Sequence, residues 1–163
     1  MEGTIDRPTA RAPALYQRQQ SAQTLAEGLA EYYALNEGVV TRPSDLPRES
    51  AELFRSHDLC HVIFGLSTSP GDEALADTRT LLSCDVGFAR YADYLRTDAQ
   101  AKALFAQIGF WRLIWIALAA LPRILRALIE AARMSRRWPW KPPEGDLDRT
   151  LADLRSDYRI RVI

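Results

Sequence analysis

Apolar residues return every three to four positions along most of this chain, and no alternating β-branched run is long enough to make a confident strand. That pattern leaves helices packed on one another as the solution. Leu25, Leu29, Tyr32 and Tyr33 predict a helix over 21–35, closed by Asn36-Glu37-Gly38. Ser50 opens a second helix, with Leu53, Phe54, His57, Cys60, His61 and Phe64 inward and Gly65 at its end. Leu75, Leu81, Leu82, Cys84, Val86, Phe88, Tyr91 and Leu95 predict a third helix over 72–95. A fourth runs over 98–137, and Pro122 should kink or break it. Asp148 or Thr150 caps a last short helix through Leu151 and Leu154. Short extended pieces fit 38–41 and 158–163. The expected fold class is all-α, a single-domain helical bundle over 21–163, preceded by a flexible N-terminal arm over 1–20.

With 163 residues, the chain is long enough for a core without staples. Cys60 and Cys84 are its only cysteines and read as reduced core residues, not a disulfide framework. The 21 basic and 21 acidic residues cancel, which argues against nucleic acid as a partner. The balance is not even along the chain. Residues 110–141 hold 7 basic residues and 1 acidic, within the most apolar stretch. On a helical wheel Arg112, Arg123, Arg126, Glu130, Arg133 and Arg137 fall within roughly an 80° arc. A cationic stripe on an apolar helix points to a membrane surface. The longest charge-free apolar run, 113–122, is well short of the ~20 residues of a membrane span. No secretory signal is visible near the start. The expected location is cytoplasmic, peripheral at the inner face of the plasma membrane.

One constellation carries chemistry. His57-Asp58-Leu59-Cys60-His61 sets two imidazoles at i and i+4 on one helix face, and the chain has no other histidine. After Gly65 and the turn Ser67-Thr68-Ser69-Pro70-Gly71, the first turn of the next helix can return Glu73 to the same place. Two imidazoles with one or two carboxylates, Glu73 and Asp58, suit Zn, Fe, Co or Mn better than Ca. Fewer than four tight protein ligands would leave a position open, as catalytic sites do. The bland reading, two ordinary helical histidines, weighs about as much on spacing alone. Peptidase chemistry of the HExxH kind wants Glu at position 58, and the phosphohydrolase kind wants further histidines upstream. No glycine-rich phosphate loop supports a nucleotide site.

The pattern His57-Asp58-x-x-His61-x11-Glu73, with its flanks from Phe54 to Gly65, resembles the Coq4 family of ubiquinone-biosynthesis proteins. The tail from Trp140, with Leu151, Leu154 and Arg155, is similar to that family's closing segment. The resemblance covers about 46–163, and the first 40 residues match less well. It implies a helical, typically homodimeric protein that binds a divalent metal through His57, Asp58, His61 and Glu73. It implies a polyprenyl lipid or quinone precursor as ligand and other quinone-biosynthesis enzymes as partners. The implied reaction is oxidative decarboxylation at C1 of a polyprenyl-hydroxybenzoate, a lyase-type chemistry with Asp58 as catalytic proton carrier. Phe110, Trp111, Ile114, Trp115 and Leu118 would line the lipid tail, and Arg123, Arg126, Arg133 and Arg137 would face the membrane. A non-catalytic, lipid-presenting scaffold for the pathway's enzymes is the alternative.

Overall fold

The computed structural model describes residues 12–87 and 110–163, the side chains of Glu49 and of 110–120 excepted. Within them lie five α-helices and no strand: α1 (Leu25–Leu35), α2 (Arg48–Phe64), α3 (Pro70–Ser83), α4 (Phe110–Arg133) and α5 (Leu151–Tyr158). The all-α expectation holds.

Local chemistry sets the helix starts. At α1 the Thr24 hydroxyl accepts from the Glu27 N–H, while the Glu27 carboxylate accepts from the Thr24 N–H. Ser69 caps α3 with Pro70 in the first turn. Thr150, not Asp148, caps α5. The first N–H groups of a helix lack partners within it, and α1 and α5 supply them to each other's leading segments. Leu25 and Ala26 donate to the carbonyls of Arg149 and Leu147, and Leu151 and Ala152 to those of Gln23 and Ser21, at 2.8–3.0 Å. Gly28 allows the close approach of α1, because a Cβ there would meet Val62 at 2.9 Å and Leu151 at 3.0 Å.

Arg155 ties the centre together. Its buried guanidinium has no carboxylate partner among the described residues and donates instead to four carbonyls: Ile63 and Val62 at 2.8 Å, Arg18 and Tyr16 at 2.6 Å. Two of these carbonyls lie in the last turn of α2, where helix carbonyls run out of intrahelical donors. Burial lowers its pKa to about 10, so it stays charged at neutral pH. Residues 14–20, expected within a loose arm, are therefore anchored. Tyr16 is buried, its hydroxyl donates to the Leu66 carbonyl at 3.0 Å, and Glu31 accepts from the N–H groups of Leu15 and Tyr16. Residues 1–11 of the arm lie outside the described residues.

The third helix stops earlier than the periodicity predicts, at Ser83. Cys84 turns extended and bridges to Trp138, whose N–H donates to the Ser83 carbonyl at 2.7 Å. Trp138 is fully buried, so burying that large ring competes successfully with one more helical turn. The expected continuation over 88–95 and the start of the fourth helix over 98–109 lie outside the described residues. Helix α4 runs through Pro122 and ends at Arg133 rather than 137. Pro122 sits on the exposed side, where water can satisfy the carbonyl that the ring leaves unbonded.

Helix α4 packs on α3 by a face that takes in part of the charged arc of the wheel, which the sequence reading turns toward the membrane. Ala127 and Glu130 are buried there, and Arg123 pairs with Asp72 at 2.6 Å. Arg79 is also buried. It lies 4.7 Å over the Phe64 ring and donates to the Arg161 carbonyl at 2.5 Å. Burial lowers its pKa to about 10, against the opposing charge of Glu130. The opposite face of α4, with Leu121, Leu125, Leu128 and Ile129, is exposed. No helix among the described residues is long and apolar enough to cross a membrane.

Candidate metal centre

The centre sits where α2 and α3 meet, beneath α1. His57 and His61 follow the i, i+4 spacing of α2, with ring centroids 4.8 Å apart. The chain reverses at Gly65, which closes α2 in the left-handed conformation (φ 71°) that glycine adopts without a Cβ penalty. Asp72 then holds the turn by accepting from the Ser67 N–H at 2.8 Å and its hydroxyl at 2.5 Å. Thr68 donates to Asn36 at the end of α1 at 2.8 Å, fixing the turn against the third helix of the site. Glu73 follows in the first turn of α3, where the helix dipole favours a carboxylate.

Three donor atoms converge. His57 Nε2 and His61 Nε2 are 3.1 Å apart, and Glu73 Oε2 lies 3.6 Å and 3.3 Å from them. Together His57, His61 and Glu73 form a cluster that could hold a metal ion. At these separations an ion bonded at about 2.0–2.1 Å would see the donors roughly 100–120° apart, close to tetrahedral. Lone pairs this close repel unless a metal ion or a ring N–H hydrogen lies between them, and His61 is fully buried, so water cannot screen the contact. A proton on a ring nitrogen is the alternative to a metal. Burial works against charge on His61, but the hydrogen bond and charge of Glu73 outweigh it and raise its pKa. Burial likewise works to raise the pKa of Glu73, but the bonds and charges of both histidines hold it at about 2. Glu73 is the only half-exposed member, so a small molecule approaches from its side.

Asp58 does not join the three. One position further round α2, its Oδ2 accepts from the Tyr33 hydroxyl at 2.8 Å. It is buried, and desolvation raises its pKa to about 6, against the lowering effects of His57, Tyr33 and His61. The structure thus places Asp58 beside the cluster with a pKa suited to proton exchange near neutrality, and outside the converging donor set.

Two side chains from α1 complete the surroundings. Tyr32 stacks on His61 at 5.3 Å and 29°, and Tyr33 holds Asp58. The spacing of α1 marks both tyrosines as one apolar face, but nothing in the sequence pairs that face with the histidine helix. Beneath the cluster, the thiols of Cys60 and Cys84 lie 3.6 Å apart, both buried and free, in keeping with their reading as core residues.

The expected lipid wall falls on a helical backbone, but the side chains of Phe110, Trp111, Ile114, Trp115 and Leu118 lie outside the described residues. The expected membrane-facing arginines divide. Arg126, Arg133 and Arg137 are exposed, whereas Arg123 is drawn into the helix interface by Asp72. Comparison with family models, with curated proteins and with solved structures returned no match.

Proposed function

We propose that this protein is a metal-dependent enzyme acting on the head group of a polyprenylated hydroxybenzoate at a membrane surface, with oxidative decarboxylation at ring C1 as the reaction: the carboxylate leaves as carbon dioxide, a hydroxyl takes its place, and an external two-electron oxidant such as dioxygen takes up the two electrons released. The observation that carries the reading is the convergence of His57, His61 and Glu73 beside a buried Asp58 whose pKa desolvation raises to about 6. His57, His61 and Glu73 would hold the ion, with zinc, iron, cobalt or manganese all compatible with the mixed nitrogen and oxygen set. When bound, the ion supplies a Lewis acid that steadies charge on the ring oxygens as carbon dioxide leaves. Asp58 carries the proton to or from the ring. Tyr33 keeps that carboxyl in place, and its hydrogen bond favours the ionised form. Tyr32 fixes the plane of His61 by stacking and shields it from water.

Similarity in motif to the Coq4 family supports the choice of substrate class, and the apolar residues of α4 suit its tail. Each buried tail methylene contributes about 0.8 kcal/mol, so a few isoprene units offset extraction from a bilayer. Homodimerisation and assembly with other quinone-biosynthesis enzymes belong to the same proposal. Incubating metal-loaded protein with a short-chain polyprenyl-hydroxybenzoate in aerated buffer, where dioxygen serves as oxidant, and following carbon dioxide release tests it. Release that disappears in Asp58→Asn at unchanged metal content is expected. Full release by that variant contradicts the role of Asp58, and no release by the wild type favours the non-catalytic scaffold.

A further inference from the structure

We propose that the outward face of α4, with the groove at its C-terminal end, is a docking surface for an anionic phospholipid bilayer. The proposal rests on the lipid half of the reading above and names the surface and the lipid charge. Leu121, Leu125, Leu128 and Ile129 are 43–52% exposed along one side of the helix, an apolar ridge on the order of 15 Å long. Water contact with four large aliphatic side chains in a row is unfavourable and marks an interaction surface. Charge selects the occupant. Arg126 flanks the ridge, Arg137 stands past its end, and neither makes an ion pair with a described residue. Arg133 is shared with Glu130 at 3.1 Å, and Glu130 is the only acidic residue in 110–141. An apolar ridge bordered by arginines that make no ion pair with the described residues matches the acyl and phosphate layers of an anionic leaflet.

The groove sharpens this match. Leu128 belongs both to the ridge and to a cavity of about 380 Å3 between the ends of α3 and α4, lined also by Leu82, Ser83, Met134, Arg136 and Arg137. That volume falls in the range of small-ligand sites. Ser83 Oγ is buried in its wall without a hydrogen-bond partner, and Arg136 is held over the Tyr158 ring at 4.2 Å. A headgroup phosphate seated between Arg136 and Arg137 can accept from both guanidiniums, with its acyl chains along Leu128.

The test is co-sedimentation of the full chain with vesicles of phosphatidylcholine, with and without phosphatidylglycerol. Binding to the anionic vesicles alone, falling with salt, is expected. Leu125→Ser with Ile129→Ser should weaken it about tenfold or more, and Arg126→Glu with Arg137→Glu by a similar factor. Metal content should stay unchanged in all variants, which separates this surface from the metal centre. Equal binding to neutral vesicles, or anionic binding untouched by both double variants, overturns the proposal. So does conversion of a dimer to a monomer by the serine variant with vesicle binding intact, which would assign the ridge to a second copy. Inorganic phosphate should fail to compete, and full competition by it would assign the groove to a free anion instead.

Discussion

At the residue scale the centre sets the needs of chemistry against those of folding. Asp58 titrates near 6 in the fold but near 3.8 in an open chain, so the folded protein binds that proton more tightly. Its contribution is therefore favourable at low pH and is lost as pH rises through the folded value. Above about 6 the buried carboxylate costs the fold on the order of 3 kcal/mol. Asp58→Asn should accordingly raise the stability of the metal-free protein at pH 7–8 and flatten the pH dependence between about 4 and 6. Urea denaturation across that range measures both, and an unchanged slope would contradict the assignment. Tyr33→Phe removes a donor to the carboxylate, so the Asp58 pKa should climb further, as carboxyl NMR titration can follow. His61 has the opposite sign structure from an ordinary buried imidazole. Its raised pKa adds stability to the metal-free chain below about 6.5, lost as pH rises through the folded value. A metal replaces that proton, so metal retention should fall as the solution is acidified.

Individual elements show where sequence reasoning succeeds. The cap of α5, the glycine at the end of α2 and the i, i+4 histidines are local, and each is legible from a few adjacent residues, whereas α2 starts at Arg48 behind Pro47, without a side-chain cap, and not at Ser50. The return of Glu73 is legible too, because the turn before α3 is short and built of capping residues. Two outcomes depend on partners remote in sequence. Helix α3 ends early because Trp138 claims its last carbonyl. The face of α4 that turns inward is settled by Asp72 and Arg79, which a helical wheel of α4 alone does not contain. The cap of α3 gives a direct check on how firmly that helix holds Glu73. Ser69→Ala removes the hydroxyl that accepts from the Asp72 N–H. It should cost about 1 kcal/mol by thermal denaturation and weaken metal binding by moving Glu73, whereas Thr150→Ala should cost as much and leave metal binding alone.

Across the whole molecule, Arg155 carries the long-range connection. Its sequence position suggested only part of a closing motif, because four carbonyl acceptors from two separate segments leave no trace in the residues beside it. Arg155→Ala should destabilise by about 3 kcal/mol or more, since buried carbonyls would lose charged donors. Limited proteolysis should show the segment around Tyr16 opening first. Opening confined to residues beyond 150 would show that the guanidinium anchors only its own end of the chain. The three-helix layout also shows how the histidines are held: α2 carries them, α3 brings Glu73, and α1 covers the site with Tyr32 on His61 and Tyr33 on Asp58.

The central claim is that His57, His61 and Glu73 bind one divalent ion. Calorimetric titration of metal-stripped protein with zinc, alongside His61→Ala and Glu73→Gln, tests it most directly. The account predicts one ion per chain for the wild type, a release of protons on binding, at least a hundredfold weaker binding in His61→Ala and a smaller loss in Glu73→Gln. Wild-type protein that stays folded and takes up no zinc, manganese, iron or cobalt, or a His61→Ala variant that binds as tightly, would contradict it.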